Sequence, residues 1–231
     1  MSTCPLRYAL FDLDDTLYPR NAGLMSIVSQ RIDEYMALRM GMDEATIREL
    51  RSRYRKQYGT TMRGLLVDYH IDPDDYLAYV HAFSVAGLLS PNPRLNEALA
   101  CLPWRKVIFT NSTRRHSQQV LTALGVEEQF EHIFDIKETG YIGKPDPVAY
   151  QHVFAALGAN AEECLVFDDF PANLAAAASL GTTTVLVGST QKVHGVDFAI
   201  ARIEDAGEVA KEIASNNRTA AHKEQESEEA S

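Results

Sequence analysis

Three acids within four positions, Asp12, Asp14 and Asp15, close a short apolar run that begins at Leu6. The run from Leu6 to Phe11 lacks the alternation of a half-exposed strand, so it predicts a parallel strand buried on both faces. Asp12 and Asp14 lie two apart, and in an extended backbone both carboxylates project to the same side. Like charges gathered at the end of a buried strand incur repulsion and desolvation. A divalent cation offsets both, and a hard cation such as Mg²⁺ takes oxygen ligands of this kind. The plainer alternative is a polar strand end entering a loop.

Behind this stretch the chain changes character. Residues 17–93 show helical spacing and no convincing strand: Leu24, Val28, Ile32 and Tyr35 recur on one face, then Ile47, Leu50, Tyr54 and Tyr58 behind Asp43, a predicted N-cap. Further helices are predicted near 62–69 and 73–83. From residue 94 strands and helices alternate. Strands are predicted at 106–109, 133–136, 164–167, 182–187 and 198–200, with helices at 94–101, 114–124, 148–157 and 171–180; Gly125 and Gly158 serve as helix stops. This order predicts an α/β fold, a doubly wound parallel sheet with helices on both faces, interrupted by an all-α insert. The expected division is a core of 1–16 and 94–214, a helical unit of 17–93, and a polar tail of 215–231 too poor in apolar surface to order itself. Pro91 and Pro93 stand at one of the two crossings between the units, and a hinge is expected there.

Composition narrows the function. A net charge of −10 over 231 residues excludes general binding of nucleic-acid polymers, which needs basic surface. Cys4, Cys101 and Cys164 are odd in number and widely spaced, which fits a reduced cytoplasm and neither a disulfide framework nor a zinc site. No basic-then-apolar leader and no run of membrane-spanning length occurs, so a cytoplasmic protein with no membrane partner is expected.

The polar residues fall where such a sheet places its ligand, beyond the carboxyl ends of its strands. Asp12 and Asp14 follow the first strand, Thr110 the second, Lys144 a Gly/Pro-rich loop, and Asp168 and Asp169 a later strand. Singly these read as a helix cap, a solvated lysine and capping acids; together they assemble a chemistry. A metal held by carboxylates neutralises phosphate oxygens so that an anionic nucleophile can approach. One strand-end aspartate attacks phosphorus and becomes an aspartyl-phosphate, while a second acid two residues on protonates the departing alkoxide and later deprotonates water. Thr110 and the N–H groups after it hold phosphate oxygens, and Lys144 supplies positive charge. The residues therefore predict metal-dependent phosphoryl transfer through Asp12.

In order, Asp12-Leu13-Asp14-Asp15-Thr16, Thr110-Asn111, Gly143-Lys144-Pro145 and Asp168-Asp169 resemble the four motifs of the haloacid dehalogenase-like hydrolase superfamily, and the resemblance spans about residues 5–190. It implies Asp12 as nucleophile and Asp14 as general acid/base whose backbone carbonyl also meets Mg²⁺. It implies Asp169 as a direct metal ligand with Asp168 beside it, and Thr110, Asn111 and Lys144 on the substrate phosphate. The helical insert resembles that family's type-1 cap, which closes over the site and selects substrate. The dehalogenases that named the superfamily lack the second acid, so Asp14 implies phosphate esters. Phe11 to Pro19, Val80-His81, Ile108 to Asn111 and Phe167-Asp168-Asp169 with Asn173 resemble the pyrimidine 5′-nucleotidase-like branch, with Phe170 as a departure where relatives often carry Ser. The expected function is thus a Mg²⁺-dependent phosphomonoesterase acting on a small phosphorylated metabolite, foremost a pyrimidine nucleoside 5′-monophosphate. A sugar-phosphate or phosphoglycolate phosphatase is the alternative, and a non-catalytic binding protein on the same fold stands as the alternative of another class.

Within the insert, Arg48, Arg51, Arg53, Arg55 and Lys56 read as a solvated helix face, and Tyr69, His70, Tyr76, His81 and Phe83 as core aromatics with stacking on a base as the second possibility. His116 and His132 show no ligand-like pairing and read as surface or supporting residues.

Overall fold

The computed structural model describes residues 5–191 and 193–216. Six strands form one parallel sheet: β1 (Tyr8–Phe11), β2 (Arg105–Phe109), β3 (His132–Phe134), β4 (Cys164–Asp168), β5 (Thr183–Val187) and β6 (Phe198–Ile200), in the order β3-β2-β1-β4-β5-β6. β1 is central, and its register sets Phe11 beside Ile108 of β2 and Phe167 of β4. Alternate residues feed two apolar layers. Ala9, Phe11, Ile108 and Phe167 face one side, where α5 (Pro93–Ala100), α6 (Arg114–Leu124) and a helix over 206–216 pack; the Phe11 and Phe167 rings stack 4.5 Å apart. Tyr8, Leu10, Phe109 and Val166 face the other, under α7 (Pro147–Leu157) and α8 (Pro171–Ala178). Double coverage is why β1 reads as a continuous apolar run rather than an alternating one.

The intervening segment folds as α1 (Leu24–Met40), α2 (Glu44–Tyr58), α3 (Thr61–Tyr69) and α4 (Pro73–Val80). Tyr35, Leu50, Tyr54, Leu65, Tyr76 and Leu77 gather in a third apolar cluster, joined from the sheet side by Ile136. Asp43 caps α2 by accepting the Thr46 N–H at 2.9 Å. Gly125 and Gly158 end α6 and α7 at φ 70° and 59°, in the left-handed region that a residue without Cβ enters freely.

Several boundaries shift. β1 begins at Tyr8, not Leu6. β3 stops at Phe134, because the Asp135 carboxylate accepts the N–H groups of Lys137 and Glu138 and turns the chain, sending Ile136 into the helical cluster. α4 stops at Val80, short of Phe83, and Pro93 already opens α5 behind Asn92, whose side chain accepts the Leu95 N–H at 3.1 Å. Residues 215 and 216 lie in the last described helix; the rest of the predicted tail is outside the described residues. No described helix is long and apolar enough to cross a membrane.

Candidate active site

The carboxyl ends of β1, β2 and β4 converge with the loop before α7. Parallel pairing of β1 with β4 makes the two strands end side by side, so Asp12 and Asp168 arrive together. Lys144, only 2% exposed, reaches between them: its Nζ donates to Asp12 Oδ1 and to Asp168 Oδ2, each at 2.7 Å. Thr16 Oγ1 donates to Asp12 Oδ2 at 2.9 Å, and Asn173 Nδ2 donates to both Asp168 oxygens. Burial pushes the Asp12 carboxyl up; the Lys144 ammonium pulls it back, and the Asp168 charge pushes it up again. Burial works against the Lys144 charge, but the two carboxylates outweigh it and hold the ammonium protonated.

Asp12, Asp168 and Asp169 offer carboxylate oxygens that all lie within 4.8 Å of one another, a set of hard donors suited to Mg²⁺. Asp169 is not free of other partners. Arg20 Nη2 donates to its Oδ2 at 2.6 Å, so a cation would share or displace that contact. Phe170, the departure from the family pattern, is 48% exposed and serves the site through its main-chain N–H, which donates to Asp168 Oδ1 at 2.9 Å.

Asp14 faces a different set of groups. Its Oδ1 accepts from Tyr18 Oη at 2.5 Å and from His116 Nε2 at 2.9 Å, and its Oδ2 accepts from Ser112 Oγ at 2.6 Å. Burial alone would raise this carboxyl, but His116 and the hydroxyl donors outweigh it and hold Asp14 well below the usual carboxylate range. Tyr18 stays protonated, pushed up by burial and by the Asp14 charge. The Asp14 carboxylate is absent from the cluster formed by the other three aspartates, which leaves its main chain as the group the resemblance assigns to the metal.

Thr110 is buried at the end of β2, and its Oγ1 accepts the Ser112 N–H at 3.0 Å, leaving the hydroxyl proton to donate elsewhere. The Asn111 side chain is committed to the lysine loop instead: its Oδ1 accepts the Lys144 N–H at 2.8 Å and its Nδ2 donates to the Lys144 carbonyl at 2.9 Å. Asn111 therefore sets where Lys144 stands, and its main-chain N–H and one amide N–H are left for a phosphate. Gly143 is required here, since a Cβ would sit 2.5 Å from Asn111 Oδ1.

Asp12, Asp14 and Thr110 open into a cavity of about 220 Å³ whose far wall comes from the helical segment, through Met25, Val28 and Met62 among others. Of the aromatic candidates, Tyr76 and His81 line this cavity, Phe83 packs on His116, and Tyr69 and His70 stand exposed elsewhere. Three of the arginines meet acids on the helical segment: Arg48 with Glu44, Arg51 with Asp33, and Arg53 with Asp68.

His116 is not a surface residue. It is 2% exposed and bonded to Asp14, whereas His132 is exposed and bonded to Glu138. The recoverable signal was spacing: Ser112 and His116 lie four apart across the start of α6 and so reach the same carboxylate.

The model of the haloacid dehalogenase-like hydrolases matches residues 6–181. The chain is 26% identical over 193 residues to phosphate metabolism protein 8 of Saccharomyces cerevisiae, covering 76% of this chain and 60% of that protein. It is 28% identical over 102 residues to the validoxylamine A 7′-phosphate phosphatase of Streptomyces hygroscopicus subsp. limoneus, covering 44% of this chain and 47% of that one. It thus spans less than two thirds of these curated relatives. Among solved structures, the L-2-haloacid dehalogenase of Xanthobacter autotrophicus superposes with a TM-score of 0.57 at 16% identity, covering 89% of this chain and 98% of that one. The magnesium-bound HAD-hydrolase YfnB of Bacillus subtilis gives the same TM-score and identity, with 90% and 100% covered. At such identity the likeness is one of fold.

Proposed function

The chain belongs to the haloacid dehalogenase-like hydrolases, and on that footing we propose that it is a Mg²⁺-dependent phosphomonoesterase working through an aspartyl-phosphate, with nucleoside 5′-monophosphates, pyrimidine ones first, as its substrates. The observation that carries the reading is the pair Asp12 and Asp14, one held against Lys144 and the other against donors of its own. The names of both relatives, which concern phosphate metabolism and a phosphatase, point the same way.

Asp12 attacks phosphorus, forming the Asp–O–P bond as the ester P–O bond breaks, and Asp14 gives the departing alkoxide its proton. Water then attacks the phosphoryl group, Asp14 takes its proton, and phosphate leaves with Asp12 restored. The structure holds Asp14 as a carboxylate, the form the second half needs. An incoming phosphate dianion adds like charge beside it and pushes it towards the protonated form the first half needs. Thr110 and Lys144 orient the phosphate. Mg²⁺ held by Asp12, Asp168 and Asp169 would neutralise phosphate oxygens.

The cavity favours an uncharged leaving group. Among the described residues no Lys or Arg lines it, and burial pushes His81 down to about 4, so this imidazole is neutral at pH 7. The carboxylate of phosphoglycolate would face Met25, Val28 and Met62 without a counter-charge. A sugar phosphate is the second reading, since its leaving group is also uncharged. Phosphate release with Mg²⁺ across UMP, CMP, sugar phosphates and phosphoglycolate tests the assignment. UMP or CMP is expected to lead, and Asp12→Asn to lower turnover by roughly 10³-fold or more. Retained turnover in that variant sinks the mechanism, and a preference for phosphoglycolate sinks the substrate class.

A further inference from the structure

We propose that His116 is a positioning residue for proton transfer, holding the Asp14 carboxylate where it can meet the leaving oxygen; this rests on the phosphatase reading above. Asp14 has three donors of unequal stiffness. The hydroxyls of Ser112 and Tyr18 turn about their C–O bonds, whereas the His116 ring presents its N–H in one fixed plane. A carboxylate only accepts, so Nε2 carries the proton in this contact.

The ring is immobilised from both ends. His116 sits in the first turn of α6, where its main-chain N–H donates to the capping Thr113 Oγ1 at 3.3 Å, and its side chain is 1% exposed. From the segment beyond α4, the His81 ring packs against it with centroids 4.8 Å apart and the Phe83 ring at 5.8 Å. His81 is itself tethered, its Nδ1 lying 3.1 Å from the Leu77 carbonyl oxygen. The side chain thus links the helical segment, the start of α6 and the acid beside the nucleophile. His116 does not itself line the cavity above Asp12; its one hydrogen bond towards the site is to Asp14, and its ring packs on His81, which does line the cavity.

This arrangement predicts a leaving-group signature. Alkoxides need the Asp14 proton as they depart, whereas p-nitrophenolate leaves without one, and kcat/KM reports the step in which the leaving group departs. Wild type, His116→Leu and His116→Gln are assayed with Mg²⁺ on UMP and p-nitrophenyl phosphate, with the melting temperature of each variant recorded. The Leu variant keeps the packing but loses the donor. It is expected to lose about 100-fold in kcat/KM on UMP and less than about 5-fold on p-nitrophenyl phosphate, with KM within about twofold. The Gln variant, whose amide can reach the same oxygen, is expected to regain most of the loss on UMP. Equal losses on the two esters, or a Gln variant no better than Leu, would overturn the inference.

If the Leu variant unfolds, His116→Asn replaces it, since its shorter amide stops short of Asp14; unequal losses support the inference and equal losses overturn it. If wild type cleaves p-nitrophenyl phosphate but not UMP, the nucleotide assignment falls, and the alkyl arm is run with the panel ester that wild type cleaves fastest. Wild-type silence on every ester overturns the phosphatase reading and this inference together.

Discussion

The two walls of the cavity above Asp12 are built on opposite plans. The wall on the sheet side is polar and closely bonded: Asp12, Asp14, Thr110 and Ser112 face the cavity, and behind them Asp12 is bonded to Lys144 and Thr16, Lys144 to Asp168, and Asp14 to Tyr18 and His116. The wall from the helical segment is mostly apolar, with Met25, Val28, Ile32, Met62, Leu77 and Val80 facing the cavity. In the first wall each group has a specific partner at hydrogen-bond distance, so a displacement of an ångström breaks a contact. In the second, shape and area matter more than direction, and residues can be exchanged for others of similar volume at small cost. The polar wall thus tolerates little change, and the apolar wall more.

The comparison can be broken first at Lys144. Replacing it with Ala leaves two buried carboxylates facing each other without their ammonium, so Lys144→Ala is expected to cost about 3–5 kcal/mol of stability and to abolish turnover. Added Mg²⁺ should return part of the lost stability, by neutralising the same carboxylates. Chemical denaturation with and without the cation measures both; a variant as stable as wild type would show that the sheet-side wall is less tightly coupled than its geometry says.

A smaller, opposite effect is expected at Gly64, deep in the helical cluster. A Cβ there would fall 2.0 Å from the ring of Tyr54, which is fully buried and bonded through its hydroxyl to Asp68 at 2.6 Å. Gly64→Ala should destabilise the protein by about 2 kcal/mol through overpacking, yet leave turnover of p-nitrophenyl phosphate near wild type. A fall in that turnover as large as for a change in the sheet-side wall would dissolve the distinction.

An effect of similar size, present only at low pH, concerns the contact between His81 and His116. Burial and the nearby His116 hold His81 at about 4, below its ordinary value of 6.5. Protonation thus favours the unfolded chain: the stabilising contribution is complete above about pH 6.5 and is lost as pH falls towards 4. Its size is about 2 kcal/mol once partial exposure is allowed for. Melting curves between pH 7 and pH 4 should show a shallower decline for His81→Gln than for wild type.

What was legible in the chain follows the same division. β1, β2 and β4 announce themselves as apolar runs ending in polar residues, and parallel pairing brings those ends together without further information. Helix stops at Gly125 and Gly158 were equally local, because the left-handed conformation is decided by one residue. His116 was not legible as a buried residue, because what buries it, His81 and Phe83, comes from a separate segment. The role of Asn111 was hidden for a similar reason: its neighbours in sequence point to phosphate, while its side chain bonds the Lys144 backbone 33 residues away. The helical wall was legible only in part: Tyr76 and His81 stood among the candidates and Val28 and Ile32 on an apolar face, but Met25 and Met62 look like ordinary core positions on amphipathic helices.

The reach of Lys144 has a consequence for how the protein is made. The ammonium that meets Asp12 lies 132 residues further along the chain, and the carboxylate sharing that ammonium lies 24 residues beyond Lys144. Asp12 has a local partner in Thr16, four residues on, but its counter-charge comes only with the loop before α7. Distant pairings of this kind form late, after loop closure has been overcome. The cluster of Asp12, Lys144 and Asp168 is therefore complete only once β4 has paired with β1, and until then its charges lack their counterparts.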